Sequence, residues 1–171
     1  MKRTFIILAL MAAALLPAGA QKFALVDMEY ILGNIPAYER ANEQLNQQSK
    51  KWQAEVEALN EEAQTLYKNY QNELVFLSAE QKTQREQAIL DKEKEASELK
   101  KKYFAPEGEL YKKRESLITP IQDEIYTAVK AIAEQRGYSL ILDRASDNGI
   151  VFASPKADIS NEVLAKLGYG E

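Results

Sequence analysis

Histidine and cysteine, which most enzymes use as bases, nucleophiles and zinc ligands, are both absent from the 171 residues. Thiol nucleophiles, disulfides, lipid attachment through a lipobox cysteine, histidine-based triads and the usual zinc sites are thereby excluded. Carboxylate, lysine, tyrosine and serine chemistry remains. Paired carboxylates such as Glu61-Glu62 fall on an exposed helix with nothing beside them to raise a pKa, so they read as surface charge. The seven glycines form no phosphate-cradling loop of the kind an ATPase or a dinucleotide enzyme needs. No catalytic residue, cofactor or metal site is expected, and the composition favours a binding or structural protein over an enzyme.

Two runs carry charge chemistry instead. Lys100-Lys101-Lys102 and Lys112-Lys113-Arg114 set six positive charges within 15 residues, offset by Glu107 and Glu109. Such a patch can attract acidic partners or anionic lipid heads. The alternative is a solvated helical face neutralised by intrahelical pairs.

The elements that must position these residues begin after a leader. Lys2 and Arg3 precede a 12-residue apolar run, Phe5 to Leu16, and Ala18-Gly19-Ala20 has the small-x-small pattern of a signal-peptidase site. Residues 1–20 are read as a signal peptide cleaved after Ala20; Pro17 ends the run too early for a membrane span. Loss of Lys2 and Arg3 leaves 20 basic against 26 acidic residues, a mature net charge of −6. A net-acidic exported protein is a poor nucleic-acid binder.

From Ala37 to Ala105, 69 residues carry neither glycine nor proline, the gap of a long helical element. Trp52, Val56, Leu59, Ala63, Leu66, Tyr70, Leu74 and Leu77 recur at steps of three and four, the helix period. Ser78-Ala79-Glu80-Gln81 reads as a capping box that starts a second, returning helix, with the hairpin tip near Ser78. A helix from Tyr38 to Leu77 spans about 60 Å at 1.5 Å per residue, too long for a compact domain of this size. The return stripe is thinner, Glu98 with Lys102 is a favourable pair four residues apart, and Glu57 with Glu61 an unfavourable one. Pro106 and Gly108 interrupt the return. Thr119-Pro120 reads as either a fresh cap or a kink.

The flanks are of strand type: Phe23-Ala24-Leu25-Val26, Tyr138-Ser139-Leu140-Ile141-Leu142, and Ile150-Val151-Phe152 after an Asp147-Asn148-Gly149 turn signal. A short helix over 158–167 closes the chain. Three short strands and one helix bury too little to anchor a 60 Å arm, so several copies are expected to pool strands, the alternative being a small self-contained αβ domain. Phe23, Leu25, Leu140, Leu142, Ile150 and Phe152 are the candidate shared core.

The mature chain resembles the Skp/OmpH family of periplasmic chaperones. The resemblance is carried by Lys22-Phe23-Ala24-Leu25-Val26-Asp27-Met28, by residues 125–133 (Ile-Tyr-Thr-Ala-Val-Lys-Ala-Ile-Ala), by Leu140-Ile141-Leu142-Asp143, and by Asp158-Ile159-Ser160-Asn161-Glu162-Val163-Leu164. It implies an α+β homotrimer: a small β-barrel body assembled from strands of several subunits (residues 21–36 and 137–171), from which long antiparallel helical hairpins (residues 37–136) project around a cavity. It further implies an ATP-independent periplasmic holdase that keeps unfolded outer-membrane proteins from aggregating. On that reading Tyr67, Tyr70, Phe76, Leu77, Tyr103, Phe104 and Tyr111 are the candidate client contacts, although Tyr70, Leu77 and Tyr103 also fit the hairpin seam. The best-known members are strongly basic. The acidity of this chain departs from them and counts against lipopolysaccharide or a membrane surface as a partner. The alternative is an exported coiled-coil scaffold whose hairpin binds a folded envelope partner.

Overall fold

The computed structural model describes residues 21–146 and 149–170. Residues 1–20, where the signal peptide is expected, Asp147 and Asn148 of the Asp147-Asn148-Gly149 turn, and Glu171 lie outside them. The elements are β1 (Lys22–Val26), α1 (Met28–Gly33), α2 (Pro36–Glu73), α3 (Ala79–Phe104), α4 (Glu109–Arg136), β2 (Tyr138–Asp143), a 3-10 turn (Pro155–Ala157) and α5 (Ser160–Leu167). Two compact units share the chain: Gly33–Ile125 forms one, and the described residues up to Leu32 with those from Tyr126 onward form the other.

In the first unit, α2 runs 38 residues with Pro36 in its first turn, about 57 Å at the helical rise. It ends at Glu73, one turn before Leu77, and Leu74 to Leu77 make the connection to α3. The capping box forms as the residues require: the Ser78 hydroxyl accepts from the Gln81 backbone N–H, and the Gln81 side chain accepts from the Ser78 N–H. Between α2 and α3 the buried seam is Val56, Ala63 and Tyr70 against Ile89 and Ala96. The two alanines let the backbones approach; the seam is one residue wide, as the stripe implies.

Helix α3 stops at Phe104 and α4 starts at Glu109, so the Pro106 and Gly108 interruption is real. Backbone bonds span it: Ala105 N–H donates to Lys101 O, Gly108 N–H to Ala105 O and Lys112 N–H to Gly108 O. A Cβ on Gly108 would stand 2.8 Å from Tyr103 O and 2.9 Å from Lys102 O, both backbone atoms that cannot step aside. Pro120, by contrast, neither caps a new helix nor breaks the old one, and α4 passes through it. The proline forfeits one N–H, but burial of Ile121 and Ile125 just beyond it keeps the helix in register.

In the second unit, α4 ends at Arg136 and Gly137 turns the chain with φ +69°, a conformation glycine adopts without a Cβ penalty. Strand β2 then pairs parallel with β1, Phe23 opposite Leu140 and Leu25 opposite Leu142. The expected third strand does not form: Ile150-Val151-Phe152 carries no ladder bonds, and Val151 and Phe152 are 98% and 86% exposed. Among the described residues no strand pairs with this segment, and a segment without ladder bonds is not a strand. Ala24, Leu25, Val26, Ile31, Ala128, Ile132, Ile159, Val163 and Leu164 are the buried apolar residues of this unit.

Candidate functional site

The surface of the hairpin unit divides by what its seam uses. Tyr70 is buried and its hydroxyl donates to Glu86 at 2.5 Å, while Tyr103 is half-buried and donates to Glu55 at 2.6 Å. Each hydrogen bond to a carboxylate, with lesser help from burial and the carboxylate charge, raises the phenol above its usual pKa. Trp52 stacks on Tyr103 with ring centroids 4.6 Å apart, and Phe104 meets Tyr103 edge-on at 6.2 Å. Lys92 bridges Glu62 at 3.1 Å and Glu95 at 2.8 Å. The Tyr70–Glu86, Tyr103–Glu55, Trp52–Tyr103 and Lys92–Glu62 contacts hold one helix to the other.

Other apolar side chains are left over. Phe76 is 86% exposed in the α2–α3 connection, Tyr67 and Tyr111 are exposed on helical faces, and Leu77 and Phe104 are half-buried. Two exposed apolar residues were not anticipated: Val75, 84% exposed beside Phe76, and Leu90 on α3. The signal for Val75 was present, since Leu74-Val75-Phe76-Leu77 is an apolar run ending at a helix cap, and a helix end cannot bury four consecutive side chains on one face. The candidate contacts therefore do not form one cluster; Phe76, Val75 and Leu77 gather at the connection, and Tyr103 and Phe104 at the helix break.

The cations around the break are all exposed. Lys112 pairs with Glu109 at 3.4 Å, and Lys102 lies 5.7 Å from the Tyr103 ring centroid. The anticipated Glu98–Lys102 pair is not made; Glu98 instead lies 3.8 Å from Lys94, one turn earlier. Lys100, Lys101, Lys113 and Arg114 form no ion pair among the described residues.

The strand-bearing unit has its own exposed apolar face. Paired residues of a parallel ladder point the same way, so Phe23, Leu25, Leu140 and Leu142 share one side, and Ala24, Val26 and Ile141 the other. On the first side Leu25 is buried, its carbonyl accepting from Ile159 N–H, whereas Phe23, Leu140 and Leu142 are exposed, as are Ile150 and Phe152. Five of the six candidate core residues thus lie open in the single chain.

Beside this face sits a polar cluster that sequence reasoning missed. Arg144 binds Asp158 at 3.0 Å and Asp27 at 3.5 Å. The buried Ser160 hydroxyl donates to Asp158 at 2.6 Å and accepts from the Asp27 N–H at 2.8 Å. Asp27 caps α1 through the Tyr30 N–H, and Asp143 accepts from the Met28 and Ala145 N–H groups. Burial raises the Asp158 pKa, but hydrogen bonds from Ser160 and the Arg144 charge outweigh it, leaving the carboxyl below its usual range. With both carboxylate oxygens of Asp27 and of Asp158 committed to capping or pairing, this arrangement is a clasp. Among the described residues no group of three or more acids is placed to hold a metal ion.

The profile of the family described as "Outer membrane protein (OmpH-like)" matches residues 22–167. Among characterised relatives, a protein named "Chaperone protein Skp" from Yersinia enterocolitica is 26% identical over 162 residues, 94% of each chain. Another of the same name, from Pectobacterium atrosepticum, is 25% identical over 159 residues, 92% of each. The match takes in both the strand-bearing unit and the helical hairpin, and on it the chain belongs to the OmpH-like outer membrane protein family.

Proposed function

We propose that this chain is an ATP-independent periplasmic holdase chaperone that binds unfolded outer-membrane proteins between helical arms and prevents their aggregation. The observation that carries the reading is the surplus of apolar side chains that the hairpin does not use for itself, above all Phe76 and Val75. A spacer buries its apolar residues in its seam; a holdase must offer many weak, exchangeable contacts. The names of the Skp relatives support the same class. In this reading the signal peptide exports the chain, and the unpaired cations around the helix break draw in acidic stretches of client.

The open sheet face gives the reading its quaternary side. Phe23, Leu140, Leu142, Ile150 and Phe152, exposed in one chain, are buried when three copies pool their strands into a barrel-like body, leaving the hairpins as arms around a cavity. Burial of such a face supplies on the order of 25 cal/mol per Å2 removed from water.

The test is the native mass of the mature protein, alone and after rapid dilution of a urea-unfolded outer-membrane β-barrel protein into it. A trimer that takes up client and keeps it soluble is the expected result. A species that ignores the client would overturn the holdase reading in favour of a scaffold for a folded envelope partner.

A further inference from the structure

Charge on the hairpin is segregated along its length into an acidic band and a basic band, beyond the few charges that the seam uses. Cross-hairpin bonds fix the register: Glu62 to Lys92 at 3.1 Å, and Glu55 to Tyr103 at 2.6 Å. They bring residues 55–62 of α2 level with residues 91–98 of α3, a band holding eight acids against Lys92 and Lys94, net −6. One step along α2, Trp52 stacks on Tyr103, and Gln48 and Trp52 line the same groove as Lys112 and Lys113. Residues 47–53 and 100–114 therefore form a second band, with eight cations against Glu107 and Glu109, net +6. Of those cations Lys112 alone has an ion-pair partner among the described residues. Lys51 and Glu61 stand about 15 Å apart along α2. That exceeds the Debye length of about 8 Å at physiological ionic strength, so the far edges of the bands are screened from each other, whereas Lys51 and Glu55 at the boundary, about 6 Å apart along the axis, and Lys100 and Glu57, which line one groove, are not.

We propose that these bands form a self-complementary docking surface for a second copy of this chain, with two hairpins lying antiparallel so that each basic band meets the other's acidic band. The bands are adjacent, equal in magnitude and opposite in sign. A two-fold axis at the level between Trp52 and Glu55 brings both contacts together at once, which is the condition for an isologous interface. Hairpins lying parallel and in register would set like charge against like and repel. An acidic polymer would satisfy the basic band alone, whereas an antiparallel copy satisfies both. Because the contact is made by exposed charge, it is sensitive to salt, in contrast to the apolar sheet face, which salt does not weaken.

The experiment is sedimentation velocity of the mature full chain at ionic strengths of about 0.01 M and about 1 M, where the Debye length is about 30 Å and about 3 Å. A twofold larger mass at low salt than at high salt is expected, the high-salt mass being that of whatever assembly the sheet face makes. The variant K100E/K101E/K113E/R114E and the variant E57K/E61K/D91K/E93K should each keep the smaller mass at low salt. Mixed together they should regain the doubled one, since their bands are then complementary only to each other. The mixture also reports folding, because misfolded chains would not rescue one another. Equal wild-type mass at both ionic strengths, doubling of either variant alone, or a mixture without rescue would overturn the proposal.

Discussion

Trp52 and Tyr103 stack with ring centroids 4.6 Å apart and planes 10° from parallel, joining the middle of α2 to the last turn of α3. The Tyr103 hydroxyl continues the contact into Glu55 at 2.6 Å. The stack stands directly before the helix break at Ala105–Gly108, where the seam passes from α3 to α4. It fixes the end of α3 against α2 at the point where the chain itself provides no helical continuity.

Removing the stack should loosen this joint. Trp52→Ala is expected to lower stability by the aromatic-pair contribution, about 0.5–1.5 kcal/mol, on top of the apolar burial that the indole loses. Urea unfolding followed by circular dichroism measures it. Because Trp52 is the only tryptophan, its fluorescence in the wild type reports this joint directly, and a transition at lower urea than the helical signal would locate the first opening there.

The two seam tyrosines predict an alkaline limit. The phenol pKa of Tyr70 and of Tyr103 is raised by its hydrogen bond to Glu86 or Glu55. A raised folded-state pKa gives stability that is complete below the unfolded value of about 10 and is lost as pH rises through the folded value. Melting temperature should therefore be insensitive to these groups near neutrality and fall above about pH 10. The double variant Tyr70→Phe, Tyr103→Phe should show a shallower alkaline decline; an unchanged slope would place the loss elsewhere.

How much of this was legible beforehand depended on how far apart the interacting residues are in the chain. The spacing of Val56, Ala63 and Tyr70 gave the seam, and the Ser78–Gln81 box gave the cap, because each is written in a few neighbouring residues. The Arg144 clasp joins Asp27 to Ser160, 133 positions apart, and no local pattern announces it. Strand character at Ile150–Phe152 requires a neighbouring strand, and among the described residues none pairs with it. At Pro120 the local rule left a fresh cap and a kink both open, and the helix runs through the proline without a new cap.

The clasp predicts an acid limit in the strand-bearing unit. The Asp158 pKa is lowered in the folded state, so its stabilisation is present above the unfolded value of about 4 and is lost as pH falls through the folded value. Thermal melts between pH 7 and about pH 2 should show the wild type declining below about pH 4. Asp158→Asn should start less stable at pH 7, having lost the ion pair with Arg144, and decline less steeply. Parallel acid limbs for the two proteins would remove Asp158 from the account.

Leu142→Asp tests the sheet face. Leu142 is exposed in the single chain, so a carboxylate there costs the monomer little, yet it would be buried unpaired in a body that pools strands. Sedimentation should show the variant dissociated at concentrations where the wild type is assembled, with helical content retained. A variant that sediments as the wild type would argue against the shared core.

The exposed pair at the α2–α3 connection separates client binding from stability. Val75 and Phe76 are 84% and 86% exposed, so replacing both by serine removes almost no buried area and should change unfolding free energy by less than about 0.5 kcal/mol. If they contact client, the same variant loses apolar surface that becomes buried only in the complex, worth about 25 cal/mol per Å2. The expected outcome is weaker suppression of aggregation of an unfolded outer-membrane protein, with an unaltered melting curve and oligomer mass. Equal suppression by variant and wild type would shift the client contacts away from the connection, toward Tyr67 and Tyr111 on the helical faces.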